Sequence, residues 1–449
     1  MSTRHSRRTF LGGLGSASAA TLLPGGLRAA GSSPNGIPNI ASVGVGGKGW
    51  VDANGAAVHA NIVAFCDVET TQSRRRGGFS MAASKWPKAR RYTDWREMLD
   101  REQDLDGITV STPDHMHAPI TMTALRKGIA CYTQKPLTRT VHESRRIAEA
   151  AREAGVATQM GNQHHNGRTY LTLVKLLRSG VIGKVRTAHA WSNRPIWPQG
   201  HGRPEQSHDP PSSLAWDLWL GVAPARPYAP GVYHPFKWRG WYDFGSGALG
   251  DMGCHIIDPV HWALELTAPI SVSYEGPPPA KETFPAWERI HYEFPGSRHT
   301  AGRSVGLTWH DGNRKPDPAE CNLPGDARLP NNGCLFVGEK GVVVASHGSQ
   351  DLPSLYPKKV FADYEIEVVD GRDHYEEWID GIKGEGRPSS HFDYAGPLCE
   401  TVLLGCVASR VAGAKLEWDS KSLKFSNSAA ANDLLHQEYR KGWEVEGLA

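Results

Sequence analysis

Short apolar runs alternate with amphipathic segments through the first third of the chain. The apolar runs predict strands at residues 40–43, 61–66, 107–111, 129–132 and 156–160. The segments between them predict helices at residues 94–101, 118–127 and 141–154. Because parallel strands need crossover connections such as helices, this alternation predicts a doubly wound parallel sheet of the Rossmann type, an α/β domain over residues 37–160.

The pattern changes after residue 160. One more helix is expected to end at Ser179, and the following segments are separated by loops rich in proline, glycine and tryptophan. These segments predict strands at residues 271–274, 289–294, 303–309, 333–337 and 341–347. With two late helices at 375–383 and 394–411, they predict a second, α+β domain over 161–430 on a mostly antiparallel sheet, followed by a tail at 431–449.

A glycine-rich turn follows the first predicted strand. Gly44-Val-Gly46-Gly47-Lys48-Gly49 matches G-x-G-x-x-G, whose glycines make a tight turn and admit a pyrophosphate. The second strand ends at Asp67, whose carboxylate can accept a hydrogen bond from a ribose 2′-hydroxyl and so favours NAD. An arginine run at residues 74–76 can hold a 2′-phosphate, which leaves NADP open.

Loops after the other strands are expected at the same edge of the sheet, where doubly wound folds bind ligands. They carry the Thr-Pro pair at 112–113, the Gln-Lys-Pro run at 134–136 and a polar run that starts at Gly161. The histidines at 115 and 117 have no third ligand at a recognisable spacing, so no metal site is predicted. The predicted cofactor contacts are Gly44, Gly46, Gly47, Gly49, Asp67, Thr112, Pro113, His117, Gln134, Lys135 and Asn162.

A second glycine-dense stretch, residues 247–258, carries one carboxylate and one imidazole four residues apart. If the stretch is helical, Asp251 and His255 share one face, so the carboxylate can orient the imidazole as a base. Pro259 cannot donate to the carbonyl of His255. We therefore expect a new helix that Asp258 caps, with Pro259 at its first position.

The N-terminus has the features of an export signal. Ser6-Arg7-Arg8-Thr9-Phe10-Leu11 precedes a weakly apolar, glycine- and alanine-rich run, which is typical of twin-arginine signal peptides. The run is a poor membrane span because it is short and rich in glycine. We expect a signal over residues 1–30, a periplasmic location and no stable membrane insertion.

Composition limits the classes of partner that the sequence suggests. Lys and Arg number 50 against 47 Asp and Glu, so the charge excess that nucleic acid would demand is missing. The 15 tryptophans crowd the middle of the chain, which suits either stacking on sugar rings or a core or subunit interface. The 7 cysteines show no C-x-x-C spacing, and most are expected to be buried thiols.

Taken in order, these motifs resemble the Gfo/Idh/MocA family over nearly the whole chain after the signal. They are the strand with G-x-G-x-x-G, the acidic end of strand two, the Thr-Pro loop, x-Lys-Pro and Gly-Ala-Leu-x-Asp-x-Gly-x-His. The resemblance implies a Rossmann domain, a substrate domain on an open antiparallel sheet whose face commonly makes a dimer, and catalytic Lys135, Asp251 and His255. Gln134 stands where the family usually has glutamate, so the carboxylate beside the lysine is missing.

The resemblance implies an NAD(P)-dependent oxidoreductase that acts on a carbohydrate substrate. Export favours a tightly bound cofactor, because free dinucleotide is scarce outside the cytoplasm, and oxidation is expected at C3 of a sugar or glycoside. His255 would take the hydroxyl proton, Lys135 would stabilise the alkoxide, and Asp251 would hold the imidazole. An NAD-dependent glycosidase and a sugar-binding protein that retains NAD are the alternatives, and a homodimer or homotetramer is expected. The predicted substrate contacts are His164, Arg194, Trp197, Tyr233, His234 and Trp238.

Overall fold

The computed structural model describes residues 36–71, 77–325, 327–411, 413 and 415–448. The proposed signal at 1–30 and the arginine run at 74–76 lie outside these residues. The export signal and the choice between NAD and NADP therefore remain predictions. Among the residues that the structure describes, none of the helices has the length and hydropathy of a membrane-spanning segment.

The N-terminal domain is built on a six-stranded sheet. Its strands are β1 (Asn39–Val43), β2 (Asn61–Cys66), β3 (Arg90–Tyr92), β4 (Gly107–Val110), β5 (Ala130–Gln134) and β6 (Thr158–Gly161). Their order is β3-β2-β1-β4-β5-β6, and every pair is parallel. The predicted Rossmann sheet is confirmed, and β3 is a short strand that the apolar pattern did not predict.

Helices connect these strands, and the sequence sets their ends locally. They are α1 (Lys48–His59), α2 (Phe79–Lys85), α3 (Trp95–Arg101), α4 (His117–Arg126) and α5 (Val141–Ala154). Helix α5 begins with a capping box, because the Thr140 hydroxyl accepts from the Glu143 N–H and the Glu143 carboxylate accepts from the Thr140 N–H. It ends at Gly155, which has a left-handed φ of 64°.

The second domain contains a nine-stranded sheet. Its strands are β7 (Val185–Trp191), β8 (Ser271–Glu275), β9 (Arg289–Pro295), β10 (Ser304–His310), β11 (Gly333–Gly338), β12 (Val342–Ser346), β13 (Ser354–Tyr356), β14 (Leu416–Asp419) and β15 (Lys424–Phe425). The order is β13-β12-β11-β7-β10-β9-β8-β14-β15, and among these described strands only β7 and β10 run parallel. This confirms the mostly antiparallel sheet, although β7 at its centre was not predicted.

The remaining helices flank the two sheets. They are α6 (Arg168–Arg178), α7 (Trp216–Leu220), α8 (Gly247–Ile256), α9 (Asp258–Ala263), α10 (His374–Lys383), α11 (Phe392–Ala408) and α12 (Ala429–Asn432). The core side chains of the two domains form one continuous apolar cluster, and buried side chains of α11 are part of it. All seven cysteines are buried and free, as predicted.

The two late helices were predicted to belong to the second domain alone, but they also pack on the first domain. Trp378 of α10 is completely buried against Ile40 and Tyr132 of the Rossmann sheet. Helix α11 packs closely on α5, where Gly396 leaves no room for a side chain beside Ala148. Helices α10 and α11 therefore pack against the first domain although they follow the second domain in the sequence, because their apolar faces are buried there.

The prediction for Asp258 was half right. Helices α8 and α9 do break at this point, but the side chain of Asp258 makes no capping hydrogen bond to the described backbone. Its carboxylate instead accepts from His165 at 2.9 Å, Asn162 at 3.1 Å and the Tyr394 hydroxyl at 2.5 Å. Asp258 therefore has a structural role, because its carboxylate accepts hydrogen bonds from three side chains and does not cap a helix.

The docking of α10 gives a prediction for stability. Replacing Trp378 with alanine removes a buried indole that joins α10 to the Rossmann sheet, so unfolding should become easier by about 3–5 kcal/mol. Urea denaturation of the purified variant measures this loss. Val58 of α1 is 75% exposed, and its replacement by alanine should change the free energy of unfolding by no more than about 0.5 kcal/mol. Equal effects of the two substitutions would contradict the prediction.

Candidate active site

The glycine loop after β1 is shaped by contacts that exclude side chains. A Cβ on Gly44 would lie 2.6 Å from the Ser111 carbonyl oxygen, and one on Gly49 would lie 2.0 Å from the Gly44 carbonyl oxygen. Gly44 also has a φ of +78°, which favours glycine. At Gly46 and Gly47, by contrast, a Cβ would meet no described atom within 4 Å. Among the described residues, the loop is therefore tight at its base and leaves space for a ligand at Gly46 and Gly47.

Asp67 lies immediately beside this loop. Its carboxylate accepts the Val45 N–H at 2.9 Å and the Glu69 N–H at 3.1 Å. Burial raises the pKa of Asp67, while these backbone hydrogen bonds oppose the shift. An open glycine loop with a fixed carboxylate at the end of β2 fits the pyrophosphate and ribose of a dinucleotide.

The other predicted cofactor contacts fall into two groups. Thr112 and Pro113 lead from β4 to the same edge, and the Thr112 hydroxyl is buried with no partner among the residues that the structure describes. His117 instead bridges two loops, since its ring nitrogens contact the carbonyl oxygens of Thr112 at 2.8 Å and Pro136 at 2.7 Å. The buried ring of His117 therefore serves as a brace between loops.

Asn162 requires a correction. It was predicted to contact the cofactor, but its side chain is completely buried. It donates to Asp258 at 3.1 Å and accepts from the Ser390 hydroxyl at 2.7 Å. Its position after β6 pointed to the ligand edge, but both ends of its amide are used inside the fold.

Gln134 has a partner that explains the departure from the family's usual glutamate. Its amide nitrogen lies 2.9 Å from Asp52, a carboxylate with no exposed surface. The same carboxylate accepts from Ser111 and Lys48, both at 2.7 Å, and from Tyr375 at 2.8 Å. A glutamate at position 134 would place a second negative charge against a carboxylate that is already buried.

This arrangement gives a prediction for Gln134→Glu. The variant should lose roughly 2–4 kcal/mol of stability at pH 8, because two buried carboxylates repel each other and a donor is lost. The folded-state pKa of the introduced carboxyl group should be raised above its unfolded value. The loss should therefore shrink as pH falls through the raised pKa and the protonated acid donates to Asp52.

Denaturation at pH 5 and pH 8 measures this difference. The exposed residue Gln103 provides the matched control, since Gln103→Glu adds the same charge in contact with water. A loss of stability that is equal at both pH values, or equal in the two variants, would contradict the account of Gln134.

The two domains meet at Lys135 and Asp251. The Lys135 ammonium lies 2.8 Å from Asp251 Oδ1 and also donates to the Asp251 carbonyl oxygen, and both side chains are 10% exposed. Arg239 Nη1 lies 3.4 Å from Oδ1, and Arg194 Nε lies 3.8 Å from Oδ2. Burial opposes ionisation of Asp251, but Lys135 and the two arginines outweigh it and lower its pKa to about 2. Asp251 is therefore an anion throughout the physiological range.

The predicted pairing of Asp251 with His255 is wrong. Asp251 turns to Lys135, and Nδ1 of His255 is buried without a hydrogen-bond partner in the described part of the chain. His255 lies instead in a group of three imidazoles, with ring centroids 5.0 Å from His347 and 6.2 Å from His164. A full positive charge is a stronger partner for a carboxylate than a neutral imidazole, so Lys135 takes Asp251.

The three imidazoles are neutral near pH 7. Burial, aided by Lys135 and His347, lowers the pKa of His255 well below its usual value. Burial also lowers the pKa of His164, and it lowers that of His347 to about 3. The Tyr170 hydroxyl lies 2.8 Å from His347 Nδ1 and fixes that ring. A neutral imidazole at position 255 can accept a proton, as a general base must.

The predicted substrate contacts separate into those near this site and those away from it. His164 and Arg194 are at the site, and Trp197 and Trp238 lie against the Arg239 guanidinium at 6.0 and 4.3 Å. Tyr233 is 1% exposed inside an aromatic cluster with Trp241 and Phe244, so its prediction as a contact is corrected. His234 lies edge-on to Trp219, which belongs to the same cluster.

Several residues of the site were missed. Arg239 and Asp114 contact each other at 3.8 Å, and Asp114 also accepts from the Ser246 hydroxyl at 2.5 Å. His347 comes from the loop after β12, far along the chain. A weak signal existed only for Arg239, which stands between two tryptophans in the run Trp238-Arg239-Gly-Trp241. Tertiary packing brings the others to the site.

The site combines a glycine loop, a carboxylate at the end of β2 and a strand-end lysine that faces the second domain. This combination is typical of two-domain dinucleotide-binding oxidoreductases. Residues 39–162 match the NAD-binding Rossmann fold of the Gfo/Idh/MocA oxidoreductase family, and residues 172–301 match its C-terminal alpha/beta domain. The two matches together cover more than half of the chain. The chain belongs to the Gfo/Idh/MocA family, which confirms the resemblance.

Similar proteins include sugar-acting enzymes. Levoglucosan dehydrogenase from Pseudarthrobacter phenanthrenivorans is 26% identical over 187 residues, which are 42% of this chain and 37% of that protein. An alpha-N-acetylgalactosaminidase from Shewanella oneidensis is 24% identical over 163 residues, 33% of each protein. The chain thus spans only about a third of the length of the curated relatives it matches.

The fold is also similar to solved structures. The WlbA dehydrogenase from Bordetella pertussis, in complex with NADH and UDP-GlcNAcA, superposes with a TM-score of 0.59 at 17% identity. The match covers 85% of this chain and 99% of that one. At this level of identity the likeness establishes the shared fold.

Proposed function

We propose that the protein transfers hydride between a tightly bound NAD and a hydroxyl of a sugar or glycoside, at C3. NADP is the alternative cofactor. The observation that carries the proposal is the neutral imidazole of His255 beside the fixed ammonium of Lys135, at the edge of the sheet where the glycine loop opens. The sugar-acting relatives support a carbohydrate substrate.

The chain's own residues supply positioning and proton transfer. Bound NAD would supply the hydride acceptor, and Gly46, Gly47 and Asp67 would hold it. His255 takes the proton of the substrate hydroxyl as the general base, and the Lys135 ammonium stabilises the developing alkoxide. Asp251 fixes Lys135 through a 2.8 Å contact, so it acts as a positioning residue for the lysine and not, as the sequence suggested, for His255.

A glycosidase reaction is the second candidate. In that cycle, transient oxidation at C3 would acidify the C2 hydrogen, the aglycone would leave by elimination, water would add, and the hydride would return to C3. The cycle needs no external oxidant because the same hydride is removed and restored. The similarity to an alpha-N-acetylgalactosaminidase favours this candidate. A sugar-binding protein that retains NAD is the remaining, non-enzymatic alternative.

One assay separates these three candidates. The purified protein, with no added dinucleotide, is incubated with p-nitrophenyl glycosides while absorbance at about 340 nm and nitrophenol release are followed together. A single rise near 340 nm, stoichiometric with the bound cofactor and reversed when a carbonyl acceptor is added, indicates the oxidoreductase. Sustained nitrophenol release without a lasting rise indicates the glycosidase. Binding without either signal would favour the sugar-binding protein.

Substitution of the proposed catalytic groups should abolish most turnover. His255→Ala and Lys135→Met should each lower the rate by about 100-fold or more, because each removes the group that handles the proton or the alkoxide charge. The exposed residue His208 is the control, since His208→Ala removes an imidazole that is in contact with water. If either site variant kept the wild-type rate, the roles assigned to these residues would be wrong.

The environment of His255 also predicts a pH dependence. A depressed pKa keeps the imidazole unprotonated as pH falls, so kcat/KM for oxidation should stay near its maximum from pH 8 to about pH 6. A general base with an unperturbed histidine pKa would lose half its activity near pH 6.5. A pH–rate profile with a midpoint at that value would contradict the proposed state of His255.

We also propose export by the twin-arginine route to the periplasm and assembly as a homodimer or homotetramer. The motif at Arg7 and Arg8 supports export. A tightly bound cofactor would suit that location, because free dinucleotide is scarce outside the cytoplasm.

A further inference from the structure

The Asp251 carboxylate is surrounded by three cations, and two of them are only loosely engaged. Lys135 makes the close contact at 2.8 Å, whereas Arg239 and Arg194 stay at 3.4 and 3.8 Å from its oxygens. The arginine side chains are also more accessible, at 18% and 26%, than the 10% of Lys135 and Asp251. The arginines therefore lie between the buried pair and solvent, with donor capacity left over.

The unused donors can be named. Arg194 Nη1 donates to Asn193 Oδ1 at 2.6 Å, but its Nε is buried without a hydrogen-bond partner in the described ranges. The carboxylate oxygens near Arg239 lie 3.4 Å away on Asp251 and 3.8 Å away on Asp114, longer than strong hydrogen bonds. The cost of an unmade hydrogen bond falls on the buried Nε of Arg194, because the rest of that side chain is 26% exposed and can bond to water.

Aromatic side chains hold one of these guanidiniums in place. The guanidinium carbon of Arg239 lies 4.3 Å from the ring centroid of Trp238. The ring centroids of Phe236 and Trp197 are 5.8 and 6.0 Å from the same atom. Such faces orient the planar guanidinium and limit its contact with water. Phe236 is 44% exposed, so this aromatic wall reaches the surface. A ligand that reaches Arg239 would contact the same wall.

The charges at this place do not balance. Three cations, Lys135, Arg194 and Arg239, face two carboxyl groups, Asp251 and Asp114. Burial raises the pKa of Asp114, which makes its negative charge harder to maintain. The excess is positive, and a ligand carboxylate would neutralise it while accepting the planar donors of the arginines. The hydroxyls of a neutral sugar would supply acceptors but no charge.

We propose that the substrate is an acidic sugar, a uronate or aldonate unit, whose carboxylate is bound by Arg194 and Arg239. The inference rests on the proposed function, since it names the substrate class of the same site. Lys135 and His255 then serve the reacting hydroxyl, and the two arginines serve recognition.

Matched sugar pairs test the inference through binding. The probes are glucose with glucuronate, galactose with galacturonate and mannose with mannuronate, titrated into the purified protein as isolated. Quenching of intrinsic tryptophan fluorescence reports binding without turnover, because Trp197 and Trp238 lie beside Arg239. In at least one pair the acid should bind about ten-fold or more tightly than its neutral partner. The preference should shrink as salt is raised from about 20 to about 500 mM, since it depends on charge.

Variants locate the preference. Arg194→Gln and Arg239→Gln should each reduce the preference for the acid toward one, while Arg194→Lys, which keeps the charge, should retain part of it. Arg186→Gln is the matched control, because Arg186 is exposed on β7, the strand that leads to Arg194. It should leave the preference unchanged. A preference that survives both glutamine substitutions would overturn the assignment to these arginines.

The remaining outcomes separate this inference from the proposed function. If the neutral sugars bind as tightly as the acids in every pair and still reduce the bound cofactor in a Lys135-dependent manner, the function stands and the acidic substrate is wrong. If no sugar of any pair binds or changes the absorbance of the cofactor, both proposals fail. If the acids bind tightly without any redox change, the acidic ligand stands and the oxidoreductase proposal fails.

Discussion

A buried ion pair between Lys135 and Asp251 sets the geometry between the two domains. Lys135 follows the last residue of β5 in the Rossmann sheet, and Asp251 lies in the middle of α8 in the second domain. Pairs of this kind are stable only when the contact is close and the remaining donors are used. Here the ammonium reaches both a carboxylate oxygen at 2.8 Å and the carbonyl oxygen of the same residue. Because the pair fixes α8 against the sheet edge, it also fixes His255 one turn later.

A second buried carboxylate holds the same loop from the other side. Gln134 precedes Lys135 and donates to Asp52, which Lys48 already neutralises. Tyr375 of α10 donates to the same carboxylate, so the helix after the glycine loop, the end of β5 and a late helix meet at Asp52. The neutral amide suits this acceptor, since Asp52 needs one more donor and already has its cation. Adjacent residues thus bind two different carboxylates, and the strand-end loop has little freedom to move.

Features that depend on local sequence were predictable, whereas those that depend on distant segments were not. Helix α5, five of the six strands of the Rossmann sheet, the glycine turn and α8 follow from residues close together in the chain, and the structure places them as expected. The partner of Asp251 was not predictable, because a helix offers a shared face while tertiary packing decides which charge arrives there. Arg239 likewise reaches Asp114 from a distant part of the chain. Asn162 failed because a position at a strand end does not determine where a side chain points, and its amide is bound inside the fold.

The position of Asp251 links chemistry to recognition. One carboxylate cannot satisfy three cations at close range, and the compact ammonium of Lys135 takes the short contact. The broader guanidiniums of Arg194 and Arg239 remain at the rim, where each keeps open donors. The short contact fixes the Lys135 ammonium, and in the proposed function the two arginines are the groups available to an incoming anion. The same three cations that lower the pKa of Asp251 to about 2 thus divide into one close, buried contact and two longer contacts nearer to solvent.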